Sequence, residues 1–255
     1  HLLDYAGVWA KQMIRYPASY ADAFFGMTHT IFVPLVSDDH IYEMRDKGKI
    51  NSGKILQDFK KALADNLSGR KDEAIPEIEF VLAREKDCSV LLDLLEAGKL
   101  PLRVTHNDTK LNNVMFDNET NEGICVVDLD TVMPGLSLYD FGDSIRFGAN
   151  TAAEDEKDVS KVSLSLENFR AYTLGYLTTA GESLTKNEIE QLAFSSKLMT
   201  LECGMRFLGD FINGDTYFKT EYPEHNLDRC HTQFKLVADM EEKWDEMKAI
   251  VKKYI

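Results

Sequence analysis

The residues best suited to chemistry lie in one stretch. His106-Asn107-Asp108-Thr109-Lys110-Leu111-Asn112-Asn113 is followed by an apolar run, Ile124-Cys125-Val126-Val127, that closes on Asp128. A carboxylate, an amide five residues later and a second carboxylate at the end of a strand suit the transfer of a phosphoryl group, which needs much positioning and little covalent help. Asp108 fits a base that orients or deprotonates an acceptor hydroxyl. Asn113 and Asp128 offer oxygen, the donor that magnesium prefers. Lys110, two residues past the base, is placed to meet charge on a γ-phosphate. His106 is expected to be structural, packed under the loop and bonded to backbone. A lone H-x-D would be weak; here five features agree.

Asp140-Phe141-Gly142 is a literal match to a metal-binding triplet, yet its context argues against that role. It stands 32 residues after Asp108, behind Leu136-Ser137-Leu138-Tyr139, where a helix is expected to begin and a carboxylate caps backbone N–H groups. Asp128 closes a strand, where two ligands can converge. The metal is therefore assigned to Asn113 and Asp128, and Asp140 is expected to brace the catalytic loop.

These groups need elements to hold them. Residues 101–135 alternate with period 2, as short β-runs around a polar loop, whereas apolar positions on either side recur at helical spacing. Ile55, Leu56, Phe59, Leu63 and Leu67 form one helical stripe. Ser89 is expected to cap a helix over 90–97, and Gly98 to end it. Thr185 and Glu188 form a capping box. Phe234, Val237, Met240, Trp244, Met247 and Val251 mark one amphipathic helix over 227–255, read as core packing. The expected fold is mainly α with a small β-island, an α+β arrangement. Residues 1–50 are assigned a lead-in helix and a short hairpin near 30–44. Residues 51–255 are assigned a helical catalytic lobe with its catalytic loop at 104–116 and its metal-binding strand at 124–131.

The pattern H-x-D-x-x-x-x-N with a strand-borne Asp is that of kinase-like phosphotransferases. Together with VVDLDTVMPG and LYDFGDSIRFG, it resembles the aminoglycoside phosphotransferase superfamily, and is especially similar to its N-acetylhexosamine 1-kinase branch, from about Glu77 to the C-terminus. The resemblance implies the C-terminal lobe of a protein-kinase-like fold, ATP with Mg²⁺, and phosphorylation of a small-molecule hydroxyl. For the sugar-kinase branch it further implies a sugar pocket lined by Asp130, Thr131, Arg206 and Tyr217. From the residues alone, Arg206 could equally pair with Asp210 one turn on, Tyr217 and Tyr222 could simply pack, and a metal site at His225, Cys230 and His231 has little support.

Composition bounds the alternatives. The 255 residues are 44% hydrophobic and carry 43 acidic against 29 basic side chains, a net charge of −14. That excess repels a phosphate backbone and argues against nucleic acid as the partner. No apolar run reaches the length of a membrane span, and four dispersed cysteines fit a reduced, cytoplasmic protein. The glycine-rich hairpin and strand lysine that clamp ATP in kinases are not found in residues 1–100. The expectation is a fragment from which that lobe was removed. Its acceptor would be the anomeric hydroxyl of an N-acetylhexosamine; an aminoglycoside or choline-like amino alcohol, or a non-catalytic pseudokinase-like binding module, are the alternatives.

Overall fold

Apolar stripes at helical spacing become helices wherever a partner stripe can cover them. The computed structural model describes residues 52–120 and 123–254; the lead-in helix and hairpin expected within 1–50 lie outside them. Among the described residues three helices come first, α1 Ser52–Asp65, α2 Ile75–Leu82 and α3 Asp87–Glu96. Four short strands follow: β1 Arg103–Thr105, β2 Val114–Phe116, β3 Gly123–Val126 and β4 Met133–Gly135. The rest is helical, with α4 Ser137–Gly148, α5 Leu166–Ala180, α6 Lys186–Glu190, α7 Leu192–Asn213, α8 His225–Glu242 and α9 Trp244–Lys252. The architecture is mainly α with a β-island, and no described helix is long and apolar enough to cross a membrane.

Three helical expectations need correction. Ser89 lies inside α3, which starts at Asp87; its hydroxyl donates to the Asp93 carboxylate and the Lys86 carbonyl instead of capping. Gly98, at φ 67°, does end that helix, in the left-handed region open to glycine. The C-terminal stripe is two helices, broken at Lys243, whose ammonium bonds Asp239, Ser163 and the Leu164 carbonyl. The Thr185–Glu188 capping box is present, but its helix stops at Glu190 and α7 restarts at Leu192.

The β-island is two separate antiparallel pairs. β1 pairs with β4 in the register Thr105 to Met133, and β2 with β3 in the register Val114 to Val126. Strand β4 carries a proline between Met133 and Gly135, tolerated because the pair has two open edges. β1 is anchored by Arg103, whose guanidinium grips Glu188 with Nε to Oε1 at 2.6 Å and a terminal nitrogen to Oε2 at 2.8 Å. Glu188 also accepts from Ser137 Oγ and the Thr185 amide, so one buried carboxylate joins β1, α4 and α6.

Helix α7 is the centre of the lobe, packed against α8, α4 and α1. It meets α4 so closely at Gly142 that a Cβ there would stand 2.4 Å from the Ser195 carbonyl oxygen. On the other flank of α4, fully buried Phe141 meets Phe169, Tyr172 and Tyr176 edge-on at 6.3, 5.5 and 5.0 Å. Burying such rings contributes about 1.5–3 kcal/mol each.

Candidate active site

The loop 106–113 runs from the end of β1 to the start of β2, and its shape comes from bonds to side chains, since it belongs to no ladder. Asn107 takes φ 65°, a left-handed conformation that asparagine tolerates better than most residues. Its amide donates to Asp140 Oδ1 at 2.8 Å, and the His106 amide to Asp140 Oδ2 at 2.8 Å. Asp140 sits in the first turn of α4 and caps the loop 106–113, not its own helix. Burial pushes its carboxyl up to about 7, opposed by those two N–H bonds. Each oxygen accepts an amide hydrogen, bonding that favours the charged form but does not outweigh burial.

His106 is fully buried. Its Nε2 lies 2.9 Å from the Val127 carbonyl, and its Nδ1 accepts the Asp108 amide at 3.3 Å. Nδ1 is thus the acceptor and Nε2 the donor, the neutral tautomer. Burial lowers its pKa, against the Val127 bond and the charges of Asp108, Asp128 and Asp143. Thr131 Oγ1 donates to the His106 carbonyl at 2.5 Å, and Asn107 Nδ2 to the Thr131 carbonyl at 3.0 Å. His106, Thr131 and Asp140 thus clasp the loop from three sides.

Asp108 emerges from that clasp with Oδ2 2.8 Å from Lys110 Nζ and accepting from Asn113 Nδ2 at 3.1 Å. Asn113 Nδ2 also donates to the Asp108 carbonyl at 2.8 Å, which turns the amide oxygen the other way. Burial lowers the Lys110 pKa, but the Asp108 bond and the charges of Asp108, Asp128 and Asp143 outweigh it, so the net shift is upward. The β2–β3 ladder continues one step as Val127 N to Asn113 O at 2.9 Å, Val127 being the residue before Asp128. Asp128 has φ 63°, a turn that points the chain into the 3₁₀ segment Leu129–Thr131 carrying Asp130. Asp130 titrates above its ordinary value, first because of burial, then because of the Asp128 charge and a hydrogen bond between the two carboxyls.

Four residues that the spacing did not single out complete the support. Thr109 donates its amide to Asp143 Oδ2 at 3.0 Å and its hydroxyl to the Asp140 carbonyl at 2.9 Å. Asp143 is held by buried Arg146, which also reaches Glu154. Glu202 on α7 is buried and feels the charges of Arg206, Asp143 and Arg146, with Oε2 lacking a hydrogen-bond partner among the described residues. The i, i+3 spacing of Asp143 and Arg146 was the available signal; Glu202 left none, being one acid in an apolar helix.

Arg206 and Tyr217 lie apart from the loop and beside one another, with an Arg206 terminal nitrogen 3.5 Å from the Tyr217 hydroxyl. Arg206, like Asp143 and Arg146, acts electrostatically on Glu202 and Cys203. An Arg206–Asp210 pair does not form: Arg206 is exposed, and buried Asp210 accepts from the amides of Thr216, Tyr217 and Phe218. Tyr222 donates to Asp228 and stacks on His225. His225 faces Asp155 and His231 faces Glu77, each on a different element, and no cluster of three or more His, Cys, Asp or Glu that could hold a metal occurs among the described residues.

Residues 48–169 match the family model described as the phosphotransferase enzyme family. The match spans the catalytic loop, both β-pairs and α4, and supports placement in the kinase-like aminoglycoside phosphotransferase superfamily. This phosphotransferase family implies ATP and usually a divalent metal. The donors present fit such an ion: carboxylate and amide oxygens from Asp128 and Asn113 are hard ligands suited to magnesium. The Asp128 charge beside Asp130 adds to the upward shift of Asp130, negative charge that a cation would relieve.

Proposed function

We propose that the lobe transfers the γ-phosphoryl group of ATP to a hydroxyl of a small molecule, with the anomeric hydroxyl of an N-acetylhexosamine as the acceptor. The observation that carries this reading is the asymmetry of Asp108: Oδ2 is tied to Lys110 and Asn113, while Oδ1 has no partner among the described residues. The open oxygen accepts the acceptor proton as the new O–P bond forms and the bond from the γ-phosphorus to its bridging oxygen breaks. Lys110 holds Asp108 Oδ2 and presents positive charge beside the reacting phosphoryl. Asn113 orients Asp108 with its amide nitrogen and offers its oxygen, with Asp128, to Mg²⁺. When bound, the metal neutralises phosphate charge. His106 and Asp140 hold the loop in shape. Asp130, Thr131, Arg206 and Tyr217 bind the sugar. The four cysteines, none of them paired, support a reducing, cytoplasmic setting, and the negative charge supports a small-molecule partner over nucleic acid.

The test is transfer from γ-labelled ATP and Mg²⁺ by the full protein to N-acetylglucosamine, N-acetylgalactosamine, an aminoglycoside and choline, side by side. Labelled sugar 1-phosphate is expected. Transfer confined to the aminoglycoside or to choline would replace the sugar assignment, and binding of sugar without transfer to any acceptor would favour a pseudokinase.

A further inference from the structure

α7 ends at Asn213, and Gly214 and Asp215 turn the chain with φ 94° and 58°. The next three amides converge on one buried carboxylate: Thr216 N and Tyr217 N donate to Asp210 Oδ1, and Phe218 N to Asp210 Oδ2, each at 2.9 Å. Asn226 Nδ2 closes the set, bridging Asp210 Oδ2 at 2.9 Å and Asp215 Oδ1 at 2.8 Å. Arg70 reaches Asp215 Oδ2 at 2.5 Å and lies 3.5 Å over the Phe211 ring, pinning the turn from outside. The product of all this bonding is an aromatic side chain left out in solvent. Tyr217 is 74% exposed, edge-on to Phe218 at 4.8 Å, with the Arg206 guanidinium 5.7 Å from its ring.

A surface tyrosine needs no such anchor, and a loop tip is ordinarily the least ordered part of a lobe. Here several charge-assisted bonds, individually the stronger kind, fix the backbone of one exposed ring relative to one arginine. We propose that Asp210, with Asn226, is a positioning residue that sets Tyr217 against Arg206 and thereby shapes the acceptor subsite. The inference rests on the reading that Arg206 and Tyr217 bind the acceptor. It predicts that the buried carboxylate acts on the acceptor and not on ATP, although it touches neither.

The test compares wild type, Arg206→Ala, Asp210→Asn and Thr216→Pro in the full protein, with kcat and KM measured separately for N-acetylglucosamine and for ATP. Asp210→Asn sets an amide nitrogen or a weaker oxygen against the three N–H groups, and Thr216→Pro deletes one of those donors. Both are expected to raise the acceptor KM about ten-fold or more, as a displaced positioning group does, with the ATP KM unchanged. Their effects should not add to that of Arg206→Ala. An unchanged acceptor KM in Arg206→Ala would overturn the acceptor reading itself. A raised acceptor KM in Arg206→Ala but in neither of the others, or equal rises for both substrates, would overturn the positioning role alone. Hydrogen exchange on wild type decides the matter if the variants do not fold: the 216–218 amides should gain protection on adding N-acetylglucosamine, and no gain would overturn the proposal.

Discussion

Lys110 Nζ stands 2.8 Å from Asp108 Oδ2, two residues along an otherwise polar loop, and Asn113 approaches the same oxygen. The pair divides the Asp108 carboxylate into a held oxygen and an open one. Asp108→Asn keeps the shape and removes the basicity, so transfer should fall by about 10²–10⁴-fold, the range for loss of a positioned acid–base group. The melting temperature should hardly move, because the side chain is part-exposed. Retained activity would remove Asp108 from the mechanism. Lys110→Ala should lower kcat more than it raises the acceptor KM, which steady-state kinetics resolve.

Asp140 is the keystone of the loop. Asp140→Ala strands the His106 and Asn107 amides in a buried setting, at about 1–3 kcal/mol for each unsatisfied group. Urea denaturation should show a loss of about 2–6 kcal/mol, and transfer should be lost with it. A variant as stable as wild type would mean that the loop is held by Thr131 and Asp143 alone.

Gly142→Ala tests the α4–α7 approach. The added methyl would meet backbone, the Ser195 carbonyl oxygen at 2.4 Å, which cannot rotate away as a side-chain tip can. Overpacking of this kind costs about 1–3 kcal/mol. Calorimetry should show a lower melting temperature, with the damage centred on the helix that carries Asp140 and Asp143.

Glu202 gives the lobe a pH dependence. Burial pushes its carboxyl up to about 7; Arg206 and Arg146 oppose the rise and Asp143 adds to it. Between its ordinary 4.5 and about 7 the folded protein therefore holds a proton that the unfolded chain has released. The resulting stability is complete below the unfolded value and is lost as pH rises through the folded one, a change on the order of 3 kcal/mol. Glu202→Gln should flatten that decline and leave the variant more stable than wild type at pH 8. Asp140, pushed the same way, should leave a residual slope. Equal slopes in the two proteins, measured by denaturant titration from pH 5 to 8, would refute the assignment.

What was legible in the sequence was local. The spacing from His106 to Asn113 and the strand ending on Asp128 are short-range patterns, and so are the helical stripes and the Thr185–Glu188 box; each reports which residues share a loop or a face. The end of α3 at Gly98 was readable because a left-handed backbone favours glycine, while its start was not, because Ser89 found a partner within the helix. The break at Lys243 interrupts a continuous stripe, at a residue whose ammonium bonds Ser163 and Leu164 about eighty residues upstream.

The sequence by itself determined which groups could do chemistry and the order in which the chain presents them. Only the tertiary structure decided their state. It tied one oxygen of Asp108 and left the other without a partner among the described residues, turned Asp140 toward a loop more than thirty residues earlier, and separated Arg206 from Asp210 in favour of Tyr217. The physical reason is that bond partners and desolvation depend on which elements meet in space. Glu202 reads as one acid among apolar residues until the fold buries it within reach of the charges of Asp143 and Arg146.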